Sequence, residues 1–136
     1  MQFVETADKI EAKAMDVCRK WPKSFTFIIT NRTVELASAI YEHVMNANSI
    51  FPIKTEDERT ERILELQRAL GATLNFARKI ERAYKLFPIC GEKKNESHAA
   101  LEGRSNRLLE EFMQLCAEEE EAVKGNIRFT RSFKIT

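Results

Sequence analysis

The side chains that most often carry catalysis or bind metals are few and widely spaced in this sequence. Its 136 residues include two histidines, His43 and His98, and neither belongs to a Glu-x-x-His or His-x-x-x-His pattern. The di-iron helix bundles that use such motifs also need inward-facing carboxylates. The three cysteines, Cys18, Cys90 and Cys116, suit neither a zinc knuckle nor a disulfide framework. We therefore predict a non-enzymatic protein with no catalytic residue, no metal site and no cofactor.

The cysteines also indicate a compartment. Cys18 and Cys116 fall beside apolar positions and are predicted to be small core residues. Cys90 lies near Lys93 and Lys94, where a thiol can become reactive. An odd number of unpaired cysteines is typical of a reducing environment, so we predict a cytoplasmic protein. The sequence has no Gly-rich phosphate-binding loop, no secretory signal pattern and no apolar run of about 20 residues for a membrane span.

Nine of the 22 lysines and arginines lie in three short stretches of the chain, although the formal net charge is +1. Such residues make most of the contacts by which proteins bind nucleic-acid phosphates, independently of base sequence. The predicted nucleic-acid-binding residues are Arg19, Lys20, Lys23, Arg78, Lys79, Arg82, Lys85, Lys93 and Lys94. Whether these cations form one surface depends on the elements that carry them.

Three prolines divide the chain into four segments, because proline disfavours a helix interior and the residue before it avoids helical dihedrals. They occur in the pairs Trp21-Pro22, Phe51-Pro52 and Phe87-Pro88. Each segment has apolar residues at the three- and four-residue spacings of an amphipathic helix. In the first segment these are Phe3, Ala7, Ile10, Ala14, Val17 and Trp21. We predict an all-α protein, with an antiparallel up-down-up-down four-helix bundle over residues 1–125.

The second and third helices have features that bear on packing. The second, predicted from about Ser24 to Ser49, has an apolar stripe widened by Val34, Ala37, Tyr41 and Met45. A stripe of this width indicates burial on two sides or a subunit interface. The third is predicted from Thr55 to Leu86, where Thr55 and Glu58 fit a capping box. Gly71 lies inside it, and we favour close packing at a helix crossing over a hinge.

The fourth helix is predicted to end at Gly125 as a C-terminal cap, with Glu118–Glu121 as a solvated helix end. Apolar and polar residues then alternate over 126–136, which predicts a short extended C-terminal tail. We favour a tail that packs on the bundle through Phe129 and Phe133. The alternative is a basic arm, whose cations are Arg128, Arg131 and Lys134.

In an antiparallel bundle all nine candidate cations would lie at one end, which we call the basic pole. The opposite end is acidic, with Glu5, Asp8, Glu56, Asp57, Glu58, Glu61 and Glu118–Glu121. One interpretation is a surface for nucleic acid or another anionic partner. The other is complementarity to helix dipoles, which favours cations in last turns and anions in first turns. The dipole does not account for Lys93 and Lys94 at the start of a helix.

Three places in the chain carry a family resemblance. The turn Lys20-Trp21-Pro22-Lys23-Ser24, followed by Phe25, is the first. The second helix supplies Asn31-Arg32, Ala39-Ile40 and Asn46-Ala47-Asn48, and the third helix supplies its length and leucine placement over Arg62 to Leu86. Over about residues 10 to 120, these features resemble a family of small bacterial four-helix-bundle proteins. The family includes the protein encoded in intervening sequences of 23S ribosomal RNA genes and the accessory variability determinant of diversity-generating retroelements.

This resemblance implies a five-fold ring of bundles with a basic surface. In the retroelement members that surface binds nucleic acid and the partner reverse transcriptase. We therefore expect a homo-oligomer, a pentamer by the resemblance, that binds RNA or DNA through the basic pole without associating with membranes. A reverse transcriptase is the expected protein partner. The alternative is a protein–protein interaction adaptor of a mobile element that binds no nucleic acid and uses the second helix or the tail.

Overall fold

A computed structural model of the protein describes residues 2–23, 29–86 and 97–136, and these form four helices. The helices are α1 (Gln2–Cys18), α2 (Asn31–Ser49), α3 (Glu56–Leu86) and α4 (His98–Ser132). No strand occurs within the described ranges, so the predicted all-α class is confirmed. Pro22 and Pro52 lie between helices as predicted, whereas Pro88 is outside the described residues. Over these same ranges, no helix combines the length and apolarity that a membrane span requires.

Side-chain hydrogen bonds to the backbone explain where α3 and α4 begin. The Thr55 hydroxyl accepts a hydrogen bond from the backbone N–H of Glu58 at 3.1 Å, which is half of the predicted capping box. The Glu58 carboxylate accepts from the backbone N–H of Lys54 at 2.6 Å instead of returning to Thr55. The Ser97 hydroxyl caps α4 by accepting from the N–H of Ala100 at 3.1 Å. Caps of this kind typically contribute about 1 kcal/mol each.

All four helices contribute to one hydrophobic core. The predicted stripe of α1 is confirmed, because Phe3, Ala7, Ile10, Ala14, Val17 and Trp21 are all buried. The main row of α2 is buried too, at Leu36, Ile40, Val44 and Ala47. Its second row is covered unevenly, since Ala37 is fully buried, Val34 and Tyr41 are half-buried and Met45 is 37% exposed. Each helix packs mainly against two neighbours, with α1 and α3 both touching α2 and α4.

The buried face of α3 is rotated slightly from the predicted one. The three- and four-residue spacing of Ile63, Leu66, Leu70, Thr73, Ala77, Ile80 and Tyr84 predicts the buried face of α3. Ile63, Leu70 and Ala77 are instead half-buried. The residues buried in their place are Arg62, Ala69 and Phe76. Arg62, Ala69 and Phe76 also repeat every seven residues, so this part of the buried face is offset by one position along the whole stretch.

The predicted close packing at Gly71 is wrong. A Cβ atom added to this glycine would meet no neighbouring atom within 4 Å. The backbone of α3 at Gly71 therefore lies against no other described part of the chain.

The prediction of an extended tail from residue 126 is also wrong, because α4 continues to Ser132. Gly125 lies inside the helix and is not its C-terminal cap. Ile127 and Thr130 are buried at helical spacing, so the alternating pattern belongs to a helix that packs on the core. Only residues 133–136 follow the helix without regular structure.

The end of α4 is fixed by a side chain of α3. The Arg59 guanidinium donates hydrogen bonds to the carbonyl oxygens of Thr130 at 2.6 Å, Arg131 at 3.0 Å and Phe133 at 2.7 Å. These carbonyls have no partner within a helix, because the last turn of any helix leaves them free. Arg59 therefore supplies the capping interaction that the sequence pattern assigned to Gly125.

Candidate nucleic-acid interface

The ends of α1 and α3 meet through two aromatic side chains. Trp21 is 5% exposed and packs edge-on against Tyr84, with the ring centroids 6.1 Å apart. Tyr84 also contacts Phe112 of α4, at a centroid distance of 6.5 Å. The Trp21–Tyr84 contact shows that the end of α1 and the last two turns of α3, which carry the candidate cations, lie at the same end of the protein.

Seven of the nine predicted site residues lie in the described ranges. Arg19, Lys20, Lys23, Arg78, Arg82 and Lys85 are exposed, and Lys79 is partly exposed. Over residues 16–23 and 78–85 the only acidic side chains are Asp16 and Glu81. Lys93 and Lys94 lie outside the described residues, so their place at this end stays a prediction.

Two acidic side chains engage three of these cations. Asp16 lies 2.8 Å from Arg19 and 3.6 Å from Lys20, and Glu81 lies 2.7 Å from Lys85. The ionic side chains in these pairs are 46–71% exposed. Exposed ion pairs typically contribute about 0–1 kcal/mol, because water screens the charges. A phosphate group can therefore replace either carboxylate at small cost.

The other four described cations, Lys23, Arg78, Lys79 and Arg82, have no ion-pair partner in the part of the chain that the structure describes. A shallow groove lined by Arg78, Glu81, Arg82 and Lys85 runs along the outside of α3 here. The described residues of the basic pole are thus exposed cations at one end of the protein, where a buried aromatic contact holds α1 and α3 together. Its arrangement suits a ligand with repeated negative charges.

A buried arginine near the start of α3 was missed by the sequence analysis. Arg62 is 0% exposed. Its guanidinium donates to the carbonyl of Ala47 at 2.6 Å, the hydroxyl of Thr130 at 3.1 Å and the side-chain oxygen of Asn126 at 3.1 Å. These acceptors belong to α2 and α4, so Arg62 ties three helices together.

Aromatic rings, rather than a carboxylate, face the Arg62 cation. Its guanidinium carbon lies 5.9 Å from the ring centroid of Phe3 and 5.4 Å from that of Phe51. No acidic partner occurs within ion-pair distance among the residues described. Burial lowers the pKa of Arg62, but a guanidinium stays charged in proteins. Because Arg62 is fully buried and its hydrogen bonds join three helices, we assign it a structural role.

A buried carboxylate was also missed. Glu119 is 0% exposed, and neither of its oxygens has a hydrogen-bond partner in the described part of the chain. The prediction that Glu118–Glu121 is a solvated helix end is therefore wrong at Glu119, since α4 continues past it and turns it inward. Burial raises the pKa of Glu119 to about 8. The sequence did contain a signal for this burial. Glu119 lies seven residues from both Phe112 and Asn126, and this spacing puts all three on the same side of α4.

Among the described residues, those considered for catalysis and metal binding are not gathered into a cluster. Cys18 and Cys116 are buried free thiols, as predicted for core residues. Burial raises the pKa of each to about 12, which disfavours the nucleophilic thiolate. His43 lies 2.8 Å from a carboxylate oxygen of Glu65. The described residues contain no group of three potential metal ligands, and Cys90 lies outside them.

The chain matches no family model, no curated protein and no solved structure. The resemblance described from the residue patterns therefore stays a prediction.

Proposed function

We propose that this chain is a non-enzymatic, oligomeric accessory protein that binds nucleic acid through the basic pole. The observation that carries the proposal is the 6.1 Å contact between Trp21 and Tyr84, which joins the cationic ends of α1 and α3. A nucleic acid meets several such cations at once, and each phosphate contact releases counterions from its surface. A cytoplasmic location and a reverse transcriptase partner belong to the same proposal. They rest on the cysteines and on the family resemblance.

We infer that the helices alternate in direction, in an up-down-up-down bundle. In support, His43 of α2 lies 2.8 Å from Glu65 of α3. Ala47, one turn further along α2, accepts a hydrogen bond from Arg62, which is nearly one turn earlier in α3. Positions that advance along α2 thus meet positions that recede along α3, as in antiparallel helices. With the same alternation at α4, residues 93–94 would join the basic pole.

The proposal is tested by reversing charges at the basic pole. Lys20 and Lys23 are exposed and lie beyond the last turn of α1, so their replacement leaves the core intact. Affinity of Lys20→Glu with Lys23→Glu for a labelled RNA or DNA duplex is measured by fluorescence anisotropy. Each phosphate contact contributes roughly a factor of several, so we expect at least about a tenfold loss of affinity.

The matched control reverses two exposed lysines away from the pole, as Lys9→Glu with Lys54→Glu. Both double variants change the net charge equally, so a general charge effect would weaken both to the same degree. Equal losses, or no binding by the unmodified chain at about 50 mM salt, would contradict binding through the basic pole.

A protein–protein adaptor is the second candidate, and an exposed aromatic cluster favours it. Phe51 is 38% exposed and Phe129 is 44% exposed. Their rings and that of Phe133 lie within 5.5–6.0 Å of one another. Exposed apolar patches often mark protein-binding surfaces. Nuclease-treated co-purification from the native host should then recover a protein partner that Phe129→Ala loses. Recovery of the homo-oligomer alone would argue against the adaptor.

A further inference from the structure

The outward face of α3 carries two exposed leucines near its centre, with the exposed polar residues Gln67, Arg68 and Asn75 around them. The helix has 31 residues and is about 46 Å long. Leu64 and Leu74 are 44% and 38% exposed, and Gly71 lies between them with open space where a Cβ would be. No other described part of the chain covers this face. Exposed leucines at helical spacing are typical of a helix that packs against a partner.

The same face carries unpaired charges of opposite sign at its two ends. Asp57 and Glu61 lie before the leucines, and Arg78 and Arg82 lie after them. All four are exposed, and none has an ion-pair partner in the described ranges. The spacing of four within each pair keeps both members on one side of the helix.

We propose that this face binds a second copy of the chain, with the two α3 helices antiparallel about a two-fold axis near residue 69. Positions 64 and 74 are equally distant from residue 69, so Leu64 packs against the partner's Leu74. Asp57 then lies opposite the partner's Arg82. Glu61 lies opposite the partner's Arg78. The midpoint of both charge pairs lies within one residue of position 69, where the leucines place the two-fold axis. A two-fold axis repeats every contact, so the face is complementary to itself.

Charge complementarity identifies the occupant as a second copy. The partner must present cations opposite the start of α3, anions opposite its end and apolar side chains between them. Another α3 in the antiparallel direction presents these three features at the matching distances. Like charges would meet in the parallel direction, which costs free energy and fixes the orientation.

This inference goes beyond nucleic-acid binding and does not rest on it. Arg78 and Arg82 belong to both surfaces, whereas the α1 cations of the basic pole lie outside the paired face. An antiparallel pair directs the two basic poles away from each other. The two-fold contact is also distinct from the five-fold ring that the family resemblance implies.

The first test measures self-association of the full chain by sedimentation velocity over a range of concentrations. The unmodified chain should approach twice its monomer mass reversibly. Leu64→Glu with Leu74→Glu should raise the dissociation constant at least about tenfold, since carboxylates replace the two leucines. Met15→Glu is the control, because Met15 is 47% exposed on α1 and lies outside the face. Circular dichroism checks that each variant keeps its helix content.

The second test exchanges the charges. Asp57→Lys with Glu61→Lys makes the face wholly basic, and Arg78→Glu with Arg82→Glu makes it wholly acidic. Each double variant alone should dimerise at least about tenfold more weakly, and an equimolar mixture should recover a heterodimer. These results would support the proposal.

Three outcomes would overturn it: a chain that stays monomeric at all concentrations, a mixture that fails to associate, or an oligomer unaffected by the leucine variant. Nucleic-acid binding is tested separately at Lys20 and Lys23. A monomeric chain that binds nucleic acid therefore refutes only the dimer, and a dimer that binds none refutes only the proposed function.

Discussion

Replacement of Glu119 by glutamine should remove a large pH dependence from the stability of the protein. Glu119 is fully buried, and its carboxylate oxygens have no partner among the described residues. Burial raises its pKa from 4.5 to about 8. The folded protein therefore holds the Glu119 proton in a range where the unfolded chain releases it. Glutamine keeps the size and polarity of the protonated side chain but does not ionise.

The size of the effect follows from linkage between protonation and folding. Because the folded pKa is raised, the stability due to the proton is fully present below pH 4.5 and is lost as the pH rises to about 8. Within this window the free energy of unfolding falls by about 1.4 kcal/mol per pH unit. The total loss is at most about 5 kcal/mol, which is comparable with the whole stability of many small domains.

The assay is urea unfolding of the unmodified protein and Glu119→Gln across this window and above it. At the acidic end the two proteins should have similar free energies of unfolding. The variant should become more stable by several kcal/mol relative to the unmodified protein towards the alkaline end, because only in the unmodified protein does folding require a proton on residue 119 that the unfolded chain has released. All other titrating groups cancel in the difference between the two proteins.

The control is Glu121→Gln, which changes an exposed carboxylate two residues away and should follow the unmodified protein. Parallel pH profiles for Glu119→Gln and the unmodified protein would refute the reasoning. They would mean that Glu119 reaches water or a partner in the folded protein.

Three further substitutions should change the stability of the protein. Arg62→Lys should lower the free energy of unfolding by about 2–4 kcal/mol, since lysine cannot make the three guanidinium hydrogen bonds. Thermal unfolding measures this change. Arg68→Lys, at an exposed site, is the control, and an equal effect of the two substitutions would contradict the prediction. Gly103→Ala should raise the free energy of unfolding by up to about 1 kcal/mol, because its Cβ meets no atom within 4 Å. Gly71→Ala should do the same in the monomer, and destabilisation by either would show that the site is crowded.

Periodicity predicts the helices well and their charged core residues poorly. The stripe from Phe3 to Trp21 is buried throughout, because spacings of three and four residues define one side of a helix. Arg62 and Glu119 also occupy buried positions, but hydrophobicity alone assigns charged residues to solvent. The acceptors that hold Arg62 are 15–68 residues away in sequence, so only the tertiary structure reveals them.

The ends of helices were likewise predicted where the capping residue is close in sequence and missed where it is distant. Thr55 was predicted as the cap of α3 because a capping residue lies three positions from its partner. The end of α4 was not, because Arg59 holds the carbonyl of Thr130 from 71 residues away. At the basic pole, the sequence indicated the cations, whereas the Trp21–Tyr84 contact between the end of α1 and the end of α3 appears only in the tertiary structure.

The most direct test of the central claim is the salt dependence of duplex affinity, compared between the unmodified chain and Lys20→Glu with Lys23→Glu. For the unmodified chain, the logarithm of affinity should fall linearly with the logarithm of salt concentration, with a slope of about −0.9 per phosphate contact. Loss of two contacts should make the slope of the variant shallower by about 2. Identical slopes, or a slope near zero for the unmodified chain, would contradict nucleic-acid binding through the basic pole.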